Sequence, residues 1–207
     1  LNLKVNQLGI DLMTLNAGKI YGPKGVGALY VRRGVKLEAI NLGGGQEAGR
    51  RAGTENVPGI VGLATALDLA VKNQIKENKK LTTLRDYAAK RILTEIATTT
   101  LNGDPANRLP NNLSFSLAGV FGEQVVIELA AVGVAASTGS ACSIPKYNEA
   151  YVILALGKSA AAARGTVRFT FSRETTKKDL NTVIKHLKII ITNLRIASHA
   201  YAANPTL

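Results

Sequence analysis

Apolar and polar positions along the chain follow two periods, and the change from one to the other marks the elements. Residues 11–35 read as strand, turn, strand, punctuated by Gly22, Pro23, Gly25 and Gly27, with Ala28-Leu29-Tyr30-Val31 as a short apolar strand. Residues 41–53 hold Gly43, Gly44, Gly45, Gly49 and Gly53 and predict an irregular glycine-rich loop. Thr54-Glu55-Asn56-Val57-Pro58 has the form of a helix start, with a capping side chain and a proline in the first turn. Helix is expected from about Gly59 to Lys72. It is expected again over Leu81–Ala97, where apolar positions recur at three and four. Asn102-Gly103-Asp104-Pro105 is a turn cluster, Leu113–Leu117 alternates as a strand, and Glu123–Val132 is a short amphipathic helix ending at Gly133. Val134–Ala136 reads as a strand, Ser137–Pro145 as a loop of small and polar residues, and Tyr147–Leu156 as a helix stopped by Gly157. Thr166–Phe171 alternates as a strand, and Thr175 or Thr176 caps a last helix running to about Ala200. The back of the chain is therefore an α+β arrangement behind a long helical connector. The front has strands but too few elements for a domain of its own, and no repeat or low-complexity tract is present.

Composition narrows the picture. With 46% apolar and 19% charged residues in 207, the chain has a globular balance and length enough for one sizeable core or two small ones. No apolar run reaches the ~18 to 20 residues of a membrane span. The single cysteine rules out an intramolecular disulfide framework and any Cys-only metal site, and fits a reducing, cytoplasmic compartment. The first residue is Leu1, and no basic segment followed by an apolar one marks a signal peptide, so a removed leader or a longer parent chain is expected. The net charge is +12, and residues 151–207 carry nine basic against two acidic side chains. Those lysines and arginines are spread between apolar residues of the last helix, without aromatic interleaving. A solvated basic face is expected rather than a nucleic-acid site.

Four places have residues suited to chemistry. Lys19 lies between a strand and a glycine-rich turn, where a rigid backbone can hold an amine against an aldehyde cofactor such as pyridoxal phosphate; most lysines are only surface charges. Cys142 lies in Ser137-Thr138-Gly139-Ser140-Ala141-Cys142-Ser143, where small residues let a loop move; it is either a reactive thiol or an inert buried one. Arg168 alternates on its strand with Thr166 and Thr170 on one side and Val167, Phe169 and Phe171 on the other, which suits bidentate capture of a carboxylate or a plain surface ion pair. Arg50-Arg51-Ala52-Gly53-Thr54 at a helix start is an anion site or a simple cap.

Taken together, the stretches DLMTLNAGKIYGPKGVGALYVRR at 11–33, GGGQEAGRRAGTENVPGIVGL at 43–63, NNLSF at 111–115, ASTGSACS at 136–143 and TVRFTFSRETTKKDL at 166–180 resemble, in order and spacing, the pyridoxal-phosphate-dependent cysteine desulfurases of the nitrogen-fixation and iron–sulfur cluster assembly type. The resemblance covers essentially the whole chain. It implies an α/β enzyme of fold type I, aminotransferase class V-like and truncated at the N-terminus. Residues 1–57 would be the remainder of the large cofactor domain, 58–98 the connector helices, and 99–207 the small α+β domain with the cysteine loop.

By the same resemblance, Lys19 carries the cofactor as a Schiff base. Cys142 takes sulfur from L-cysteine as a persulfide, leaving alanine, and is a transient iron–sulfur ligand at most, with no resident metal expected. Arg168 holds the substrate carboxylate. Thr54 reaches the cofactor phosphate of a neighbouring subunit, which implies a homodimer, and the sulfur acceptor is a scaffold or sulfur-carrier protein. Asn16 and Gly18 stand at cofactor-contacting positions where the family pattern has serine and histidine, and Asn16 retains a hydrogen-bond donor. Family members are about twice this length, so the chain is expected to be a C-terminal half that is inactive alone. The alternatives are a selenocysteine lyase or cysteine sulfinate desulfinase of the same class, or a non-catalytic remnant that binds acidic partners.

Overall fold

A computed structural model of the chain describes residues 3–139 and 151–203, with side chains through Ser198. Five strands and five α-helices occur among the described residues: β1 (Leu12–Asn16), β2 (Gly27–Val31), α1 (Val57–Glu95), β3 (Thr99–Leu101), β4 (Asn112–Leu117), α2 (Gly122–Ala131), α3 (Tyr151–Ala155), α4 (Ala160–Arg164), β5 (Thr166–Thr170) and α5 (Lys177–Ala203). They divide into two compact units, Leu1–Ile75 and Lys76–Leu207. No described helix is long and apolar enough to cross a membrane.

In the first unit β1 and β2 form an antiparallel hairpin, Leu12 opposite Val31 and Asn16 opposite Gly27. The glycine-rich segment that follows is irregular apart from a short turn at Glu47–Gly49. Helix α1 begins where Asn56 Oδ1 accepts the backbone N–H of Gly59 at 3.1 Å, satisfying one of the first-turn donors.

The sequence predicts two helices through 59–97, and the structure has one. The intervening Asn73-Gln74-Ile75-Lys76-Glu77-Asn78-Lys79-Lys80 contains no glycine or proline, and its lysines, glutamine and glutamate favour helix. The apolar rhythm lapses there because little of the stretch is buried.

In the second unit β3, β4 and β5 form an antiparallel sheet in that order. Its buried residues Leu113, Phe115, Leu117, Val167 and Phe169 pack with Leu81, Ala88 and Ile92 of α1, Val125 and Leu129 of α2, and Leu180, Ile184, Leu187 and Ile191 of α5. The three- and four-residue spacing on each helix puts its apolar positions on one face, and that face makes the core. The sheet's polar interior is satisfied internally. Ser116 Oγ donates to Asn102 Oδ1 at 2.9 Å, Asn102 Nδ2 donates to Ser114 Oγ at 3.1 Å, and Thr166 Oγ1 donates to the Ala162 carbonyl at 2.9 Å.

One local expectation differs, and two elements, β3 and α4, were not expected. Val134–Ala136 is not a strand; its Val134 and Ala136 side chains pack against the core, and the bridge to the sheet comes one residue later, Ser137 with Arg168. The C-terminal cap of α2 uses the backbone that a strand would need. Gly133 N donates to the Ala130 carbonyl at 3.0 Å and Val134 N to the Leu129 carbonyl at 2.9 Å. β3 is too short to show alternation. α4 is a run of alanines with no amphipathic pattern, started by Ser159 Oγ accepting from Ala162 N at 3.2 Å.

Candidate active site

Three of the expected site residues lie in one turn of the first unit. At the end of β1, Asn16 Oδ1 accepts the Gly18 N–H at 2.9 Å. Ala17 N donates to the Val26 carbonyl at 3.1 Å, and Ile20 N and Gly22 N donate to the Ala17 carbonyl at 3.0 and 2.8 Å. A short 3-10 turn, Ala17–Lys19, results, with Ala17 completely buried at its root. Lys19 stands exposed at the end of that turn.

The turn is seated on α1. A Cβ at Gly22 would come within 3.0 Å of both Ala17 Cβ and Ala66 Cβ, and one at Gly62 would come within 2.5 Å of Pro23 Cγ. Only glycine permits this approach, so the backbone bearing Lys19 is fixed by packing as well as by hydrogen bonds. Asn16 has spent its side-chain oxygen on Gly18, which leaves the Nδ2 amino group as its donor.

Thr54, also in the first unit, is exposed at the end of the glycine-rich loop, two residues before the Asn56 cap. The loop closes on itself: Ala52 N donates to the Asn41 carbonyl at 3.1 Å and Gly53 N to Gln46 Oε1 at 3.2 Å. Glu47 and Ala48 both have positive φ, 51° and 57°, a conformation that L residues adopt at a cost.

Arg168 belongs to the second unit. It sits on β5 opposite Ser114 and is half-buried. Its Nε and Nη2 donate to the Gly139 carbonyl at 3.3 and 2.7 Å, and its Nη1 donates to Thr170 Oγ1 at 2.7 Å. The Ser137 backbone exchanges two hydrogen bonds with that of Arg168, at 3.1 and 2.6 Å. Arg168 is thus joined to the segment leading to Cys142, while Cys142 itself lies outside the described residues. Sequence alternation placed Thr170 on the side of Arg168; nothing in the sequence pointed to Gly139.

These features define a class. The aminotransferase class-V family profile matches residues 1–183, and the chain belongs to that family. It is 46% identical over 196 residues to a protein named cysteine desulfurase IscS from Dictyoglomus turgidum, covering 95% of this chain and 50% of the relative. It is 41% identical over 201 residues to cysteine desulfurase IscS 1 from Archaeoglobus fulgidus, covering 97% and 52%. Among solved structures, a NifS-like protein matches with a TM-score of 0.81 at 30% identity over 91% of this chain and 48% of that one. The chain therefore has a class-V aminotransferase fold and spans about half the length of the relatives it matches.

The class is pyridoxal-phosphate dependent. The residues in hand suit that cofactor. Lys19 offers an exposed amine on an immobilised turn, and Asn16 Nδ2 is a donor beside it in sequence.

Proposed function

We propose that this chain contributes to a cysteine desulfurase that converts L-cysteine to L-alanine and passes the sulfur, as an enzyme-bound persulfide, to an iron–sulfur scaffold or sulfur-carrier protein. The observation that carries the reading is the packed turn presenting Lys19, on a chain 46% identical to a relative of that name. Lys19 would hold pyridoxal phosphate, with Asn16 Nδ2 and the Thr54 hydroxyl as donors to its phosphate, Thr54 acting across a homodimer. When bound, the cofactor supplies an electron sink for proton loss at the substrate Cα.

The remaining steps belong to this chain's own side chains. Arg168 pairs with the substrate carboxylate and orients it. The Cys142 thiolate bonds to the substrate sulfur. The Cβ–S bond breaks with its electron pair remaining on carbon, Cβ takes up a proton, and the proton lost from Cα is returned there. Alanine leaves, and Cys142 retains the sulfur as a persulfide.

The test is an absorption spectrum of the chain mixed with pyridoxal phosphate and desalted, with and without Lys19→Ala. A visible or near-ultraviolet band that survives desalting and disappears in Lys19→Ala is expected. A band that persists in the variant overturns the role of Lys19; the absence of a band in the parent chain shows that this half does not form the cofactor site by itself, and the function then belongs to the longer enzyme.

A further inference from the structure

Arginine has five N–H donors, and recognition of a carboxylate needs two of them held in one orientation. Three of those on Arg168 are already engaged within the second unit. The Gly139 carbonyl takes Nε–H and one Nη2–H, and Thr170 Oγ1 takes one Nη1–H. Among the described residues, one N–H on each of Nη1 and Nη2 has no partner. Both partners are on stiff supports. Thr170 is the last residue of β5, two positions from Arg168. Gly139 follows the Ser137–Arg168 bridge, and Ser137 Oγ also donates to the Gly139 carbonyl, at 3.0 Å.

Building on the reading of Arg168 as the carboxylate-binding residue, we propose that Thr170 is a positioning residue. Its hydroxyl, with the Gly139 carbonyl as the other anchor, holds the Arg168 guanidinium so that the remaining Nη1 and Nη2 N–H groups are kept in one orientation for the carboxylate of the amino-acid substrate. Thr170 is exposed and its hydroxyl accepts from Arg168, so the contact contributes to orientation rather than to the core. Without it, the Nη1 end of the guanidinium can rotate about the side-chain torsions, and the two N–H groups must be ordered anew each time a carboxylate binds.

The experiment follows the Arg168 Nε–Hε resonance and the Gly139 backbone amide in the 15N-labelled 207-residue chain as L-cysteine is added. L-cysteine methyl ester, which lacks the carboxylate, serves as the control. The parent is expected to respond to the acid and not to the ester. Thr170→Val, equal in shape and β-branching, should weaken binding about three- to tenfold, the range for one lost hydrogen bond, while Thr170→Ser should restore it. Amide exchange of β4 is expected to be unchanged in both variants, which separates positioning from folding. Equal binding by Thr170→Val and the parent overturns the proposal and leaves the role of Arg168 standing. A parent that does not respond, or an Arg168→Lys variant whose Gly139 amide reports undiminished binding, overturns that role and the proposal with it.

Discussion

At the residue scale, three carboxylates are held below their ordinary pKa by hydrogen bonds, Glu95, Asp104 and Asp179. Asp179 Oδ2 accepts from the hydroxyl and backbone N–H of Thr176 at 2.8 and 2.9 Å, and Asp179 N donates back to Thr176 Oγ1 at 3.2 Å. This reciprocal cap opens α5, and the bond from the Thr176 hydroxyl holds the Asp179 pKa below its ordinary value. A carboxylate depressed on folding contributes stability that is present above its unfolded pKa of about 3.9 and is lost as pH falls through the folded value. Thermal midpoints measured from neutral pH to below pH ~4 should therefore fall less steeply in Asp179→Asn than in the parent. A variant with the parent's slope would assign the acid loss elsewhere, to Asp104 or to Glu95, whose carboxylate accepts from Arg91. Asp104 is depressed by the backbone N–H groups of Asn107 and Ala106. Of the residues proposed for chemistry, Lys19 and Arg168 stand out in the sequence by their placement, but their roles come from the resemblance of the whole block order, because an amine before a glycine-rich turn and an arginine on an alternating strand are common local patterns. Of the partners of Arg168, Thr170 followed from strand alternation, whereas Gly139 did not, since it lies 29 residues away.

At the element scale, close approaches of backbone decide which substitutions each element tolerates. A Cβ at Gly62 would sit 2.5 Å from Pro23 Cγ, so Gly62→Ala must push the Lys19 turn off α1. Overpacking of this kind costs about 1–3 kcal/mol, and amide exchange at Ile20 and Gly22 should quicken about tenfold or more while β4 amides keep their rates. In the second unit, a Cβ at Gly122 would collide with the Thr166 carbonyl oxygen, where α2 starts against β5. Gly122→Ala should lower the unfolding free energy by about 1–3 kcal/mol or more, measured by denaturant titration. Leu129, fully buried on the same helix, should lose about 2–5 kcal/mol as Leu129→Ala. If Gly122→Ala proves neutral, α2 must be free to shift away from the sheet. Strands β1, β2, β4 and β5 and helices α2 and α5 were all readable from periodicity. The expected strand at Val134–Ala136 lost its first N–H, that of Val134, to the helix cap, a competition that periodicity does not register.

At the scale of the whole molecule, the two units differ in how much they bury. Ala17, Leu63 and Ala66 are the described buried apolar residues of the first, whereas the second has a continuous core from Leu81 to Ile191. Ile40, Leu42 and Ile75 of the first unit are 95%, 84% and 86% exposed. Opening free energy scales with buried apolar contact, so hydrogen exchange in β1 and β2 should be faster than in β4 and β5 by orders of magnitude. Comparable protection in both units would show that the hairpin gains cover not visible in its own residues.

The sequence by itself determined the periodic elements, the glycine-bounded turn that carries Lys19, and the block order that marks a class-V aminotransferase. Each of these depends on neighbours within a few residues or on motif spacing. Only the tertiary structure decided that one helix runs unbroken through 57–95, that Gly62 admits Pro23, and that Gly139 and Thr170 orient Arg168. The contacts of Gly62 with Pro23 and of Gly139 with Arg168 join residues far apart in the chain, and the unbroken helix depends on how a weakly patterned stretch is held between two packed ones.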